Sequence, residues 1–291
     1  MHRVVCFGEV LWDILPRERF LGGAPLNVAY HLARLGCSPV LASAVGRDDL
    51  GQEALTAIMA GGVDAAGVAH HPSLATGTAI VRLDAGGHAN FSLPQPVAWD
   101  HIPVAAALCG PAPAAIVFGT LALRSPANRV SLTRLLDAFP SAWVVCDLNL
   151  RPPFDDPAQL APLLHRVSLL KLNADEARQL CRRAPDATDW REMSAELSVQ
   201  HNEATVCITL GDEGACLRAG STWLHVVAPP VAVRDTVGAG DAFTAALVAG
   251  RMRRAESPDW SRILRAACSL GAFVASRDGA QPAYGDFRIE W

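Results

Sequence analysis

The sequence has little positive charge and almost no lysine. Its 291 residues carry a formal net charge of −4, and Lys171 is the only lysine, so arginine supplies nearly all of the positive charge. This balance does not provide the basic surface that follows a phosphate backbone, and we expect no nucleic-acid partner. A P-loop lysine is absent as well, so any phosphate contact must come from arginine or from backbone amides.

Paired cysteines and long apolar runs are also missing. The eight cysteines include no Cys-x-x-Cys pair, which indicates reduced core residues rather than a zinc site or a disulfide framework. No apolar run approaches the length of a membrane span, and the N-terminus lacks the pattern of a signal peptide. We therefore expect a soluble, cytoplasmic protein that does not associate with membranes.

What the sequence does contain is a regular alternation of short apolar strands and longer helices. Hydrophobic residues make up 51% of the chain and no linker interrupts it, which predicts a single domain over residues 1–291. Strands are predicted at 3–8, 39–46, 114–120, 142–149, 168–173 and 204–211, and helices at 25–35, 49–60, 126–138, 157–165, 174–182, 189–200, 239–251 and 258–275. This alternation is typical of a doubly wound α/β fold, with a mostly parallel sheet and helices on both faces.

Two segments interrupt the alternation, at about 11–21 and 76–93. The second has alternating apolar positions on both sides of a turn-forming cluster at 84–87, which predicts a β-hairpin. Long insertions of this kind often close over a site, so we expect the two segments to form a small β lid. The alternative is a surface excursion without function.

The strongest local motif is DTVGAGDAF at 235–243. Gly238 and Gly240 permit a turn whose successive amides point the same way, and the following helix adds free amides and a positive dipole end. This predicts an anion-binding cradle over Gly238, Ala239 and Gly240. Asp241 lies in the first helical turn, where the dipole favours its ionised form and lets it take a proton from an attacking hydroxyl. The alternative is a tight turn in which Asp241 is a capping residue.

A second glycine-rich motif, GGAPLNVAYHLARLG, occupies residues 22–36. Gly22 and Gly23 allow a ligand to approach the backbone, and Pro25 suits a first helical turn. The Asn27 amide can both donate to and accept from a hydroxyl, which favours a small-molecule site. The alternative is a glycine turn before an amphipathic helix, with Asn27 exposed.

Together the two motifs resemble the signatures of the ribokinase-like, or PfkB, family of carbohydrate kinases. The C-terminal signature Asp-x-x-Gly-Ala-Gly-Asp-x-Phe is matched in full. The resemblance implies transfer of a phosphoryl group from ATP to a sugar hydroxyl, assisted by magnesium, with Asp241 as the base. It also implies that the sugar lies between sheet and lid, that ATP lies along the C-terminal part, and that lid strands pair in a homodimer.

The resemblance extends over nearly the whole chain and assigns residues to the acceptor. For sugar binding it implies Asp13, Gly22, Gly23, Asn27 and Asn149. Asp13 would accept hydrogen bonds from two sugar hydroxyls at the end of the first strand. Arg151, in the run that begins at Asp147, would pair with the transferred phosphoryl group. The alternatives for this run are a salt bridge from Asp147 to Arg151 and a strand-end hydrogen-bond cluster.

Other residues are assigned to the nucleotide and to cations. For ATP the resemblance implies Asn173, Thr209, Gly211 and Gly214. Glu176 would serve magnesium through water, although the spacing from Asn173 is also that of a helix capping box. Asp235 and the backbone at 276–280 match positions where many relatives bind a monovalent cation, usually potassium.

The acceptor that the resemblance favours is fructose, giving fructose 6-phosphate. The runs GEVLWDIL, FGTLAL and DLNLRPPF are similar to bacterial fructokinase-like members. Asp155 and Asp156 follow the last run, where such relatives often have tryptophan, so ribose, 2-keto-3-deoxygluconate and nucleosides stay open.

A non-catalytic sugar-binding regulatory member is a further alternative, against which the retained Asp241 and glycine cradle argue. A dinucleotide-dependent oxidoreductase would need Gly-x-Gly-x-x-Gly after the first strand, which is absent.

Overall fold

A computed structural model describes residues 1–15, 18–83, 89–151, 157–253 and 257–291. The strands in these ranges are β1 (Arg3–Phe7), β2 (Leu11–Ile14), β3 (Arg19–Gly22), β4 (Ser38–Val45), β5 (Val68–His70), β6 (Gly77–Leu83), β7 (Ala89–Ser92), β8 (Ala115–Gly119), β9 (Trp143–Asp147), β10 (Leu169–Asn173), β11 (Thr205–Thr209), β12 (Ala215–Ala219) and β13 (Thr222–Val226). The helices are α1 (Ala24–Arg34), α2 (Asp49–Ala60), α3 (Pro126–Ala138), α4 (Pro157–Leu164), α5 (Ala174–Leu180), α6 (Trp190–Gln200), α7 (Ala239–Arg253) and α8 (Trp260–Ala275).

The main sheet confirms the predicted doubly wound fold. Its nine strands run in the order β13-β12-β11-β10-β9-β8-β1-β4-β5. The seven strands from β11 to β5 in that order pair in parallel, and β12 and β13 continue the sheet antiparallel at one edge. The chain leaves β1 toward β4 on one side and returns to β8 on the other, which makes the ends of β1 and β8 a topological switch point where ligands bind in such sheets.

Helices cover both faces of this sheet, which explains why its central strands are apolar throughout. In β1, Val4 and Cys6 pack into the layer that contains α1, α2, α7 and α8. Val5 and Phe7 point the opposite way, into the layer that contains α3 to α6. A strand buried on both faces needs a continuous apolar run rather than an alternating one.

The two interrupting segments form a separate four-stranded sheet in the order β3-β2-β6-β7. Strand β2 pairs antiparallel with β3 and parallel with β6, and β6 pairs antiparallel with β7, as the predicted hairpin requires. The predicted turn at 84–87 lies outside the described residues.

Seven of the eight cysteines are buried thiols, as predicted, whereas Cys109 is exposed. The prediction was wrong for Cys109 because this residue lies in a turn segment before β8 rather than in an apolar strand. Within the described ranges, no helix combines the length and the apolar character needed to cross a membrane.

Candidate active site

The glycine-rich turn at 235–241 leads directly into α7. Gly238 has φ of +77°, and a Cβ there would lie 2.4 Å from the Cβ of Ala280, so only glycine fits. The Ala239 amide donates to the Thr236 carbonyl at 3.2 Å and closes the turn. Gly240 follows in the first turn of α7, where helix amides lack intrahelical acceptors. These features show the predicted glycine turn before the helix, and anion binding at the turn stays a prediction.

Asp241 is half-buried in that first turn, and its Oδ2 accepts a hydrogen bond from Nδ2 of Asn27 at 2.8 Å. Burial and then the nearby Asp147 carboxylate raise the pKa of Asp241 to about 7. The sequence predicted an ionised carboxylate favoured by the helix dipole, whereas burial and the like charge of Asp147 shift the pKa of Asp241 upward. A pKa near neutrality suits a group that takes and releases a proton.

The Asn27 amide lies between two partners. The residue is buried in α1, so the alternative of an exposed Asn27 is wrong. Its Oδ1 accepts a hydrogen bond from Nε2 of Gln281 at 2.9 Å, while its Nδ2 donates to Asp241. Gln281 did not emerge from the sequence, because a single glutamine near the C-terminus carries no motif.

The only lysine of the chain lies beneath the glycine turn. Nζ of Lys171 donates to Oδ1 of Asp147 at 2.9 Å, and Oγ1 of Thr244 donates to the other carboxylate oxygen at 2.7 Å. A Cβ on Gly240 would be 3.2 Å from that Nζ. Burial alone would lower the pKa of Lys171, but the surrounding carboxylates, chiefly Asp147, raise it above its usual value. Sequence analysis missed a role for Lys171, although a single charged residue within the apolar strand LLKLN was a signal for one.

Asp147 therefore does not hold Arg151, which was one alternative for this run. Its carboxylate is occupied by Lys171 and Thr244, and the Arg151 side chain is exposed. Asn149 adopts φ of +45°, an uncommon conformation for a residue with a Cβ. This turn after β9 brings the backbone of residues 149–151 toward α5.

Glu176 fastens that turn to the start of α5. Its Oε1 accepts from the Leu150 amide at 2.7 Å and its Oε2 from the Asn173 amide at 2.8 Å. Oδ1 of Asn173 accepts from the Glu176 amide at 2.9 Å, so the predicted capping box is confirmed. Burial raises the pKa of Glu176.

Three of the predicted sugar-binding residues, Asp13, Gly22 and Gly23, lie where β2 and β3 lead into α1, whereas Asn149 lies after β9. A Cβ on Gly22 would come within 2.9 Å of Oδ2 of Asp13, so glycine leaves that carboxylate accessible. Gly23 has φ of +115°, and a Cβ there would lie 2.3 Å from the Glu9 carbonyl oxygen. Burial raises the pKa of Asp13 and of Glu9, whose Oε1 accepts from the Ala24 amide at 3.2 Å.

Of the predicted nucleotide residues, Asn173 and Thr209 end β10 and β11, and Gly211 and Gly214 lie between β11 and β12. Oγ1 of Thr209 donates to the Leu172 carbonyl at 3.4 Å. Gly211 has φ of +63° with open space around it, whereas a Cβ on Gly214 would lie 1.9 Å from the Val226 carbonyl oxygen. The β12–β13 hairpin thus requires a glycine at 214, and the hairpin by itself accounts for this residue.

Asp235 joins the glycine turn to the C-terminal segment. Its Oδ1 accepts from the Val237 amide at 2.9 Å and its Oδ2 from the Gly279 amide at 3.0 Å. The carboxylate therefore lies against Gly279 within the 276–280 segment, and a monovalent cation at this place stays a prediction. Among the described residues, no group of three or more His, Cys, Asp or Glu side chains is arranged to hold a metal ion by itself.

Comparison with known proteins relates this geometry to an enzyme class. The sequence profile described as "pfkB family carbohydrate kinase" matches residues 1–284. A fructokinase of Salmonella typhimurium is 28% identical over 97% of this chain and 95% of its own length. An aminoimidazole riboside kinase of Salmonella typhimurium is 29% identical over 97% and 92% of the two chains.

Solved structures agree in fold. Aminoimidazole riboside kinase from Salmonella enterica, complexed with aminoimidazole riboside and an ATP analog, superposes with a TM-score of 0.80 at 25% identity, over 96% of this chain and 95% of that one. A fructokinase from Xylella fastidiosa with bound ATP superposes with a TM-score of 0.83 at 23% identity, over 96% and 94%.

Proposed function

The chain belongs to the pfkB family of carbohydrate kinases, and we propose that within this family it transfers the γ-phosphoryl group of ATP to fructose, with Asp241 as the base. The protein is an ATP-dependent carbohydrate kinase, as its kinase relatives over nearly the full chain support. The observation that carries the assignment of the base is the hydrogen bond from Asn27, which holds Asp241 at the N-terminus of α7.

The two carboxylate oxygens of Asp241 have different roles in this proposal. Asn27 occupies Oδ2, and Oδ1 accepts no hydrogen bond within the described part of the chain. Oδ1 takes the proton of the acceptor hydroxyl while the hydroxyl oxygen forms a bond to the γ-phosphorus. The bond from that phosphorus to the bridging oxygen breaks, and ADP leaves with the electron pair.

The glycine turn and Arg151 would bind the transferred group. The amides at Gly238 and Gly240 lie at the positive end of α7, which favours the charge that spreads over the phosphoryl oxygens, while the Ala239 amide donates to the Thr236 carbonyl and closes the turn. Arg151 follows the end of β9 and is exposed, and its guanidinium can pair with two phosphoryl oxygens. Asn173, Thr209, Gly211 and Gly214 would line the nucleotide.

Cations would assist at two places. Magnesium, when bound, neutralises phosphate charge, and because it commonly keeps several waters, Glu176 would hold it through water rather than directly. This fits a carboxylate whose two oxygens already accept backbone amides. A monovalent cation, with potassium as the first candidate, would lie at Asp235 and the carbonyls of 276–280. The Asp235 carboxylate is held against this segment by the Gly279 amide.

For the acceptor, Asp13, Gly22, Gly23, Asn27 and Asn149 would bind the sugar under a lid made by the small sheet. Fructose is the proposed acceptor because fructokinases recur among the relatives. Aminoimidazole riboside is the second candidate, since a kinase of that riboside is as similar as the fructokinases.

ADP formation measured over fructose, ribose, 2-keto-3-deoxygluconate, adenosine and aminoimidazole riboside tests the acceptor. We expect fructose to give the highest kcat/KM. Absence of turnover on fructose with turnover on another acceptor would rule out fructose alone. Absence of ligand-stimulated ADP formation on every acceptor would instead favour a regulatory sugar-binding protein.

A further inference from the structure

The C-terminal segment 279–284 is held against the glycine turn and α1 from several sides. The Gly279 amide donates to Asp235 at 3.0 Å. Nε2 of His31 lies 2.9 Å from the Ala280 carbonyl oxygen, and the Tyr30 hydroxyl donates to the Pro282 carbonyl at 3.1 Å. Both chain neighbours of Gln281 are therefore fixed, and a side chain on a backbone held in this way has little freedom to move.

From this position the Gln281 side chain reaches the base through one intermediate. Its Nε2 donates to Oδ1 of Asn27 at 2.9 Å, and Nδ2 of the same amide donates to Oδ2 of Asp241 at 2.8 Å. Asn27 is buried, so it has few other partners with which to satisfy its amide. The three side chains form one continuous chain of hydrogen bonds from the C-terminal segment to the base.

We propose that Gln281 is a positioning residue for phosphoryl transfer, which orients the Asn27 amide so that Asn27 holds Oδ2 of Asp241 and leaves Oδ1 for the acceptor hydroxyl. This rests on the proposed function of Asp241. Gln281 hydrogen-bonds Asn27 rather than the base, so its contribution passes through Asn27.

The direction of the hydrogen bonds gives Gln281 this role. An ionised carboxylate only accepts, so Asn27 must turn its Nδ2 toward Asp241 and its Oδ1 away. A donor at 281 satisfies that outward oxygen and stabilises this orientation. An acceptor at 281 would favour the reversed amide, whose oxygen faces Asp241 and suits only a protonated carboxylate. The glutamine amide supplies the donor without adding a charge.

The other charges that face Asp241 do not change in this scheme. Asp147 at the end of β9 and Glu9 after β1 oppose its ionisation, and Lys171 in β10 favours it, as does the hydrogen bond from Asn27. Loss of the Asn27 hydrogen bond would therefore raise the pKa of Asp241. The acidic limb of the kcat profile would then move to higher pH.

Substitutions at Gln281 test the inference, with Gln281→Met removing the donor at similar size and Gln281→Glu replacing it with an acceptor. We expect kcat to fall about tenfold in Gln281→Met and further in Gln281→Glu, with the acidic limb displaced to higher pH in both. Gln200→Met, at the exposed end of α6, is the control and should keep the wild-type kcat and profile. If Gln281→Glu does not fold, the methionine variant alone decides.

An unchanged kcat and pH profile in the Gln281 variants would overturn the inference, provided that Asp241→Asn is inactive in the same assay. A fall in kcat with an unshifted acidic limb would overturn it as well, because a merely structural loss does not move the titration of the base. If Asp241→Asn keeps turnover, the proposed function itself is wrong, and the two failures are thus distinguished.

Discussion

At the scale of single residues, Asp241 depends on side chains that lie far away in the sequence. Asn27 donates a hydrogen bond to one carboxylate oxygen of Asp241. Burial and then Asp147 raise the pKa of Asp241, while the Asn27 hydrogen bond and Lys171 lower it. Motif analysis identified the acid and its glycine turn from consecutive residues. The direction of the pKa shift was not predictable in that way, because it is set by burial and by charges on β9, on β10 and in the loop after β1.

Gly238→Ala should impair both folding and turnover. Its Cβ would meet Ala280 at 2.4 Å in a backbone with φ of +77°. Gly36→Ala is the matched control, since Gly36 has φ of +81° and open space around it. We expect the control to cost about 1 kcal/mol from backbone strain and Gly238→Ala to cost clearly more. Urea unfolding measures the loss of unfolding free energy in each variant, and equal losses would contradict the role of the Ala280 contact.

Lys171→Met should strongly destabilise the protein. The substitution leaves the buried Asp147 carboxylate with only the Thr244 hydrogen bond, and an unpaired buried charge costs about 3–5 kcal/mol. Arg166→Met, which breaks an exposed pair with Asp137, is the control and should cost about 1 kcal/mol or less. The free energy of unfolding in urea distinguishes them, and similar small losses in both would refute the account of Lys171.

At the scale of elements, the six predicted parallel strands and eight helices are confirmed, with ends that differ by a few residues. Continuous apolar runs identify strands buried on both faces, which explains this success. The order of strands in the sheet was not predicted, because parallel partners are joined through helices and leave no local signal. Nor was the attachment of residues 279–284 to α1, which depends on the isolated residues His31, Tyr30 and Gln281.

The contact between α1 and that segment should make stability depend on pH. Burial lowers the pKa of His31 to about 4, below its usual value of 6.5. Protonation therefore favours the unfolded chain, so the contribution of His31 is complete above pH of about 6.5 and is lost progressively as pH falls toward 4. The difference between these two pKa values corresponds to about 3 kcal/mol of unfolding free energy.

His31→Gln removes this titration. We expect the difference in unfolding free energy between wild type and variant to shrink as pH falls from 7 to 4, measured by urea titration at each pH. A difference that stays constant over this range would show that His31 does not titrate as its burial requires.

At the scale of the whole molecule, the small sheet has β3 and β7 as its outer strands. Phe20 on β3 is 48% exposed. A large apolar side chain exposed on an edge strand favours pairing with another chain. If the lid strands pair between subunits, as the family resemblance implies, Phe20→Ser should shift the dimer toward monomer. Val130→Ser, at an equally exposed valine on α3, should leave the assembly unchanged. Sedimentation velocity reports both, and a monomeric wild type would contradict the pairing.

The most direct test of the whole account is single-turnover kinetics of Asp241→Asn with ATP and the acceptor that the panel identifies. The substitution keeps the shape and the possibility of a hydrogen bond to Asn27 but removes the proton acceptor. We expect acceptor and ATP affinities close to wild type and a rate of phosphoryl transfer lower by about 10²–10⁴-fold, the usual contribution of a general base. A transfer rate within a few fold of wild type would contradict the assignment of Asp241.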